Sequence, residues 1–305
     1  MRRYFDRPAK RALVGVGDDC AVLRADAGLE VAVTTDMLVE GRHFLPGADA
    51  FSLGHKALAV NLSDLAAMGA APRWATLALA LPVADEAWLA EFSAGFWALA
   101  DRHGIDLVGG DTTRSQLLTI SVTAMGEVPA GLALFRAGAK PGDDLWVSGE
   151  LGGAALALMH PEIADAAQRL HRPEPRVELG ERLRGVAHAA IDVSDGLTGD
   201  LPHILKRSGV GATVRYAEVP RSAAFSKLDN ADLEKNCVLS GGDDYELLFT
   251  ASVDRRSLLE ALSRELRLPL ARIGTITPGD ANLTVLDEGG RPLPHRGGFD
   301  HFAAR

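Results

Sequence analysis

The chain has 305 residues, of which 47% are hydrophobic and 24% charged, and a formal net charge of −9. This describes a folded globular protein long enough for two domains, and its acidity excludes nucleic acid as a natural partner because phosphate backbones repel such a surface. No apolar run approaches the roughly 18 residues of a membrane span, no apolar segment follows the basic start MRRYFDRPAKR, and Cys20 and Cys237 match no metal spacing, so a reduced, cytoplasmic chain away from membranes is expected.

Periodicity predicts alternating strands and helices. Residues 31–40 (VAVTTDMLVE) read as a strand. Residues 53–70 read as a helix with Leu58, Leu62 and Leu65 on one face and Gly69 near its end. A strand at 75–81, a helix at 85–104 with Asp85 as N-cap, and strands at 105–110 and 117–128 follow. The Gly- and Pro-rich stretch 136-RAGAKPGDDLWVSG-149 marks a domain boundary, placed at 137/138. Beyond it come a strand at 144–148, helices at 152–159 and 176–188, a strand at 189–193 and a helix at 197–208. The strand 245–253, the helix 255–267 and strands at 271–276 and 282–287 complete the series. The fold class expected is α/β (α+β), with two domains, 1–137 and 138–305. Alternation does not settle strand order.

Acidic clusters punctuate these elements. In GVGDDCAVL (15–23), Asp18 or Asp19 reads either as part of a turn or as a residue aimed at a metal. Thr34, Thr35 and Asp36 put three side-chain oxygens into three residues, a hard-ion constellation, although the threonines also pass as strand formers. Asn61 and Asp64 form a polar pair in a helix otherwise almost wholly apolar from Ala57 to Ala71. They are either a solvated face or a buried pair that a cation would satisfy. A strand ending at Gly109-Gly110 leads into Asp111, Thr112 and Thr113, where glycine would let a phosphate approach the backbone. The strand 189–193 delivers Asp192, Ser194 and Asp195 to a turn at Gly196. Gly241-Gly242 likewise precede Asp243-Asp244.

Clustered carboxylates repel one another unless cations join them. Several Mg²⁺ ions between such carboxylates and a nucleoside triphosphate would invert the sign of the site. Neither a G-x-x-x-x-G-K-[ST] loop nor the H-R-D and D-F-G pair of protein kinases is present, so ATP chemistry here would use neither common framework.

The segments GVGDDCAVL (15–23), TTDMLVEGRHF (34–44), KALAVNLSDLAAMGAAP (56–72), LVGGDTTR (107–114), RAGAKPGD (136–143), DVSDGL (192–197), GGDDYELLFT (241–250) and GFDHFA (298–303) span nearly the whole chain. Together they resemble the thiamine-monophosphate kinases, of the superfamily that includes aminoimidazole ribonucleotide synthetase and selenophosphate synthetase. The resemblance implies a homodimer formed through a β-barrel of N-terminal mixed sheets, a C-terminal α/β domain, and an ATP cleft between the two domains. It implies ATP- and Mg²⁺-dependent phosphorylation of thiamine monophosphate to thiamine diphosphate, the last step of thiamine diphosphate biosynthesis, by direct in-line transfer with no general base.

By motif position, the resemblance implies that Asp19, Thr34, Thr35, Asp36, Asp64, Asp111, Asp192 and Asp195 hold several Mg²⁺ ions. It places Gly110, Asp111, Arg136 and Ser194 on ATP, and His43, Asp243 and Phe299 on thiamine monophosphate. Arg136 suits a phosphate, Asp243 the thiazolium or pyrimidine amine, and Phe299 an aromatic or cationic ring. His43 also reads as a turn histidine, Arg136 as a surface charge and Phe299 as packing. The family usually has Glu at the position of Asp243, and an acidic, apolar stretch before R-Y-F-D-R, so nucleotide contacts from that arm are expected to be missing. Alternatives within the superfamily are selenophosphate synthetase-like and hydrogenase-maturation-like enzymes; Cys20 sits inside the GDD motif and the chain ends HFAAR, which suits neither. A non-catalytic Mg²⁺-nucleotide-binding protein is the alternative from another class.

Overall fold

A computed structural model of the protein describes residues 2–16 and 19–298. The chain divides into two compact units, Met1–Ala133 and Leu134–Arg305.

The first unit begins with α1 (Arg2–Phe5), β1 (Ala12–Val14) and β2 (Val22–Leu23), the two strands pairing antiparallel. Its main sheet contains β3 (Leu29–Val39), β4 (Ala71–Leu81), β5 (Asp106–Arg114) and β6 (Thr119–Pro129) in the order β3-β6-β4-β5. The sheet is mixed: only β4 and β5 run parallel. Helices α2 (Ala50–Ala67) and α3 (Glu86–His103) complete the unit. Asp85 caps α3 by accepting from the Ala87 and Trp88 amides, and Gly104 closes it in the left-handed region. The two helices cross closely at paired glycines. A Cβ on Gly54 would lie 2.0 Å from the Phe92 carbonyl oxygen, and one on Gly95 would lie 1.8 Å from that of Phe51. Leu58, Leu62, Phe92 and Phe96 fill the core around that crossing.

Along β3 the side chains alternate, as a pleated strand requires. Thr34, Asp36 and Leu38 are covered in part or wholly, whereas Val31, Val33, Thr35 and Met37 are exposed.

The second unit holds β7 (Asp144–Ser148), α4 (Gly153–Met159), α5 (Ala164–His171), α6 (Val177–Leu183), β8 (Ala189–Asp192), α7 (Leu197–Ser208) and β9 (Gly211–Arg215). It continues with α8 (Ala231–Ser240), β10 (Leu247–Ala251), α9 (Arg256–Leu266), β11 (Leu270–Thr277) and β12 (Leu283–Leu286). The six strands are ordered β12-β9-β11-β7-β10-β8, antiparallel except for β12 on β9. Every residue of β7, β8 and β10 is buried, as continuous apolar runs require. Leu156, Leu170, Leu201, Ile204 and Val238 from four helices share one core with Val147, Ile191 and Leu248 of the sheet. Asp144, buried at the start of β7, is held by a two-pronged Arg256 bond at 2.6 and 2.7 Å.

The strand expected to end at Gly110 continues to Arg114. Gly110 pairs with Leu77, and Asp111 to Arg114 remain in register with Ala78 to Leu81, so these residues form an exposed edge rather than a loop.

Candidate active site

In the first unit α2 lies against β3, and its Asn61 and Asp64 meet residues 34–36 of that strand. The Thr34 hydroxyl donates to the Asp64 carboxylate, and Asn61 accepts the Asp36 amide at 3.1 Å. The Asn61 side-chain nitrogen donates to the Ala57 carbonyl at 3.1 Å, so this fully buried amide is used at both ends. The Asn61/Asp64 stripe is therefore no solvated face. Burial, reinforced by the charge of Asp64, pushes the Asp36 carboxyl up to about 6. Such a set of oxygens suits a hard cation, which would offset both the burial and the Asp64 charge that raise Asp36. Among the described residues, no group of three or more acidic, histidine or cysteine side chains forms a ready-made metal cage.

Thr35 stands on the opposite face of β3, with its hydroxyl 2.8 Å from that of Thr123, so the three oxygens of Thr34, Thr35 and Asp36 do not converge. Asp19 is exposed in the bend before β2. His43 lies in the turn after β3, where its Nδ1 accepts the Val39 amide at 3.0 Å and its own amide donates to the Val39 carbonyl at 2.9 Å. Gly110 has φ of 153°, and a Cβ there would lie 1.9 Å from the Leu77 carbonyl oxygen. Only glycine fits. Asp111, next along the strand, is exposed and accepts the Thr112 amide at 2.7 Å.

In the second unit, Asp192 is the last residue of β8 and is 3% exposed. The chain then turns through Ser194, Asp195 and Gly196 into α7. Beside it runs the segment 241–246, which leads into β10. The two segments extend the β8–β10 ladder: Val193 donates to Glu246, Tyr245 to Val193, and Asp243 to Ser194, each at 2.8 Å. Asp243 and Tyr245 hold φ of 69° and 53°, a conformation unusual for residues with side chains and one that clusters at functional sites. The Tyr245 hydroxyl donates to an Asp243 carboxylate oxygen at 2.9 Å.

Three further carboxylates surround this pair of segments; Asp200 and Glu246 were not anticipated, and Asp244 was noted only as part of the Asp243-Asp244 cluster. Asp200, in the first turn of α7, accepts the amides of Ser194 and Asp195 at 3.0 and 2.9 Å. Burial lifts its carboxyl to about 7; those amides and the charge of Arg136 oppose the rise, and Asp195 adds to it. Asp244 accepts the Gly152 amide at the start of α4 at 2.8 Å. Glu246, 1% exposed, receives Ser148 at 2.6 Å and Arg176 at 2.7 and 2.5 Å. The available signal was positional: Asp200 is an acid in a helix's first turn, and Glu246 lies three residues beyond Asp243, already singled out. Arg136, exposed before β7, lies within electrostatic reach of Asp200. Phe299 lies outside the described residues.

The chemistry offered is that of binding and ordering polyanions through cations: oxygen donors on rigid strand ends, a glycine opening for backbone approach, and an arginine. No described helix is long and apolar enough to cross a membrane.

Residues 17–128 match the family model for the AIR synthase related protein, N-terminal domain, and residues 140–285 that for its C-terminal domain. Thiamine-monophosphate kinase of Escherichia coli (strain K12) is 44% identical over 99% of this chain and 97% of its own. The crystal structure of thiamine-monophosphate kinase from Stenotrophomonas maltophilia K279a is 50% identical, with a TM-score of 0.86 over 93% of each chain. A structure of AaThiL complexed with AMPPCP and TMP is 31% identical, with a TM-score of 0.80 over 92% of this chain and 89% of that one. With both domain models matched in order and close relatives aligned from end to end, the chain belongs to the thiamine-monophosphate kinase family.

Proposed function

We propose that the protein phosphorylates thiamine monophosphate to thiamine diphosphate with ATP, the last step of thiamine diphosphate biosynthesis. The observation that carries this reading is the clasp between β3 and α2, where the Thr34 hydroxyl bonds to Asp64 and the Asp36 amide bonds to Asn61, one helical turn from Asp64. The AaThiL complex supports both ligands, AMPPCP being an ATP analogue and TMP the acceptor.

In this reading Asp19, Thr34, Thr35, Asp36, Asp64, Asp111, Asp192 and Asp195 would hold Mg²⁺ ions, with Thr35, on the opposite face of β3, serving a different ion from Thr34 and Asp36. The donor set fits: all are hard oxygens. When bound, such ions would supply charge neutralisation to the phosphates. Gly110 lets the main chain approach ATP, Arg136 pairs with a phosphate, and Ser194 hydrogen-bonds the nucleotide. His43, Asp243 and Phe299 orient thiamine monophosphate. A phosphate oxygen of the acceptor attacks the γ-phosphorus, a P–O bond forms, the β–γ bridging bond breaks, and ADP leaves. The nucleophile is already an anion, so the protein supplies alignment rather than a base.

The dimer barrel and the ATP cleft belong to the same proposal. The exposed row Val31, Val33 and Met37 on the edge strand β3 supports a homodimer, because a bare apolar edge is otherwise an aggregation hazard. A cytoplasmic location follows from the substrates.

The test is ADP release from ATP and Mg²⁺, with and without thiamine monophosphate, with the product identified by mass. Thiamine diphosphate should form, and should be lost in Asp192→Asn and in EDTA. ADP without thiamine diphosphate would reject the acceptor, and no ADP would reject catalysis.

A further inference from the structure

Asp200 is 4% exposed, carries no assigned role and, among the described residues, touches no assigned side chain by hydrogen bond, yet one of its oxygens accepts two consecutive amides. The direction of these bonds is informative. An N-cap side chain normally accepts amides that follow it in the helix. Here Gly196 is the N-cap and makes no side-chain bond, and Asp200 reaches backward from the helix's first turn to the amides of Ser194 and Asp195, before the cap. This is the backward half of a capping box, applied to the turn rather than to the cap residue.

The bonds leave the turn little freedom. Ser194 is held at its amide by Asp200 and at its carbonyl by the Asp243 amide. Asp195 is held at its amide by Asp200. Its carbonyl is closely overlaid by Gly298, where a Cβ would lie 2.6 Å from that oxygen. Ser194 and Asp195 are the two residues of this turn assigned above to the nucleotide and to a cation.

We propose that Asp200 is a positioning residue: its carboxylate oxygen acts as an acceptor for two amides, not as a cation ligand, and sets the turn that presents Ser194 and Asp195. This rests on the reading of the site under Proposed function. What counts is where the oxygen sits, not the charge it carries.

Two variants separate those properties in the full-length protein. Asp200→Asn keeps an acceptor oxygen in place and removes the charge. Asp200→Glu keeps the charge and displaces the oxygen by a methylene. The readouts are Mn²⁺ binding by electron paramagnetic resonance, the Mg²⁺ concentration giving half-maximal activity, and KM for thiamine monophosphate. Asp200→Glu should weaken Mn²⁺ binding and raise the Mg²⁺ requirement by roughly tenfold, the scale of losing one or two hydrogen bonds, with KM for the acceptor unchanged. Asp200→Asn should stay within about threefold of the parent on all three. The reverse order, equal loss in both variants, or no loss in Asp200→Glu would overturn the proposal. A failure of the underlying reading looks different: Asp192→Asn and Asp195→Asn would then leave Mn²⁺ binding and the Mg²⁺ requirement unchanged.

Discussion

The amide of Asp243 donates to the carbonyl of Ser194 at 2.8 Å. One bond thus joins the residue proposed to meet thiamine monophosphate to the residue proposed to meet ATP. Both sit on an irregular extension of a regular ladder, where β10 pairs with β8 from Leu247 to Thr250. Donor and acceptor ligands would then be referred to one piece of backbone, which is what alignment for in-line transfer requires.

The side chain of Asp243 is short, so its orientation carries more of the proposed recognition. The Tyr245 hydroxyl, donating to its carboxylate at 2.9 Å, supplies that orientation. Tyr245→Phe removes the hydroxyl and keeps the ring. A net hydrogen bond is worth about 1 kcal/mol, so KM for thiamine monophosphate should rise about fivefold, with KM for ATP unchanged. Steady-state kinetics with each substrate varied decides it; an equal change in both constants would assign Tyr245 to general packing.

Gly110 gives a backbone prediction. Gly110→Ala places a Cβ 1.9 Å from the Leu77 carbonyl oxygen, at a φ of 153° that alanine disfavours. Backbone atoms cannot yield as a flexible side chain can, so β4 and β5 must separate locally. The expected loss is about 2 kcal/mol or more, a Tm lower by several degrees, measured by calorimetry.

Much of this arrangement was legible beforehand. The helix 197–208 carries its own signals, a glycine before it and Gly209 after it, and it is observed with those bounds. The polar pair Asn61 and Asp64 stood out against its apolar neighbours, although only the structure sets it against β3. Other elements lacked such signals. The sequence of α8, ADLEKNCVLS, has little amphipathic periodicity, and α5 is a short helix just after Pro161. β9 is five residues beginning with glycine. Strand order was out of reach because β7 pairs with β10 and β11, each about a hundred or more residues away, and such pairing leaves no local trace. The part played by Asp200 was hidden for a related reason: its partners are main-chain amides, whose direction no residue type announces.

Glu246 and Arg176 form an ion pair whose side chains are 1% and 18% exposed. Desolvation works against both charges, and Ser148 helps satisfy the carboxylate. Removing one partner strands the other. Glu246→Ala should therefore cost about 3–5 kcal/mol in denaturant unfolding, while the double variant Glu246→Leu with Arg176→Met should recover most of it. A double variant as unstable as the single one would show that the pair contributes net stability.

The apolar row on β3 predicts an association. Val33 is 62% exposed and Met37 55%, on a strand eleven residues long. Val33→Lys with Met37→Lys should convert a dimer to a monomer in sedimentation velocity, because paired lysines facing their symmetry copies repel. A parent protein that sediments as a monomer would refute the dimer.

Asp244 yields a pH dependence whose sign is fixed. Burial pushes its carboxyl up to about 8 from an ordinary 3.8, the Gly152 amide opposes the rise, and the charge of Glu246 adds to it. Between those values the folded chain holds a proton that the unfolded chain has lost. Stability from this group is therefore present at low pH and falls as pH rises from about 4 to about 8. Asp244→Asn is neutral throughout and keeps an oxygen to accept the Gly152 amide that opens α4. The variant's Tm should approach the parent's near pH 5, exceed it progressively toward pH 8, and hold a constant margin above that. Thermal unfolding from pH 5 to pH 9 measures the difference directly. A margin that does not change with pH would mean that Asp244 is ionised across the range, with its charge met at the start of α4.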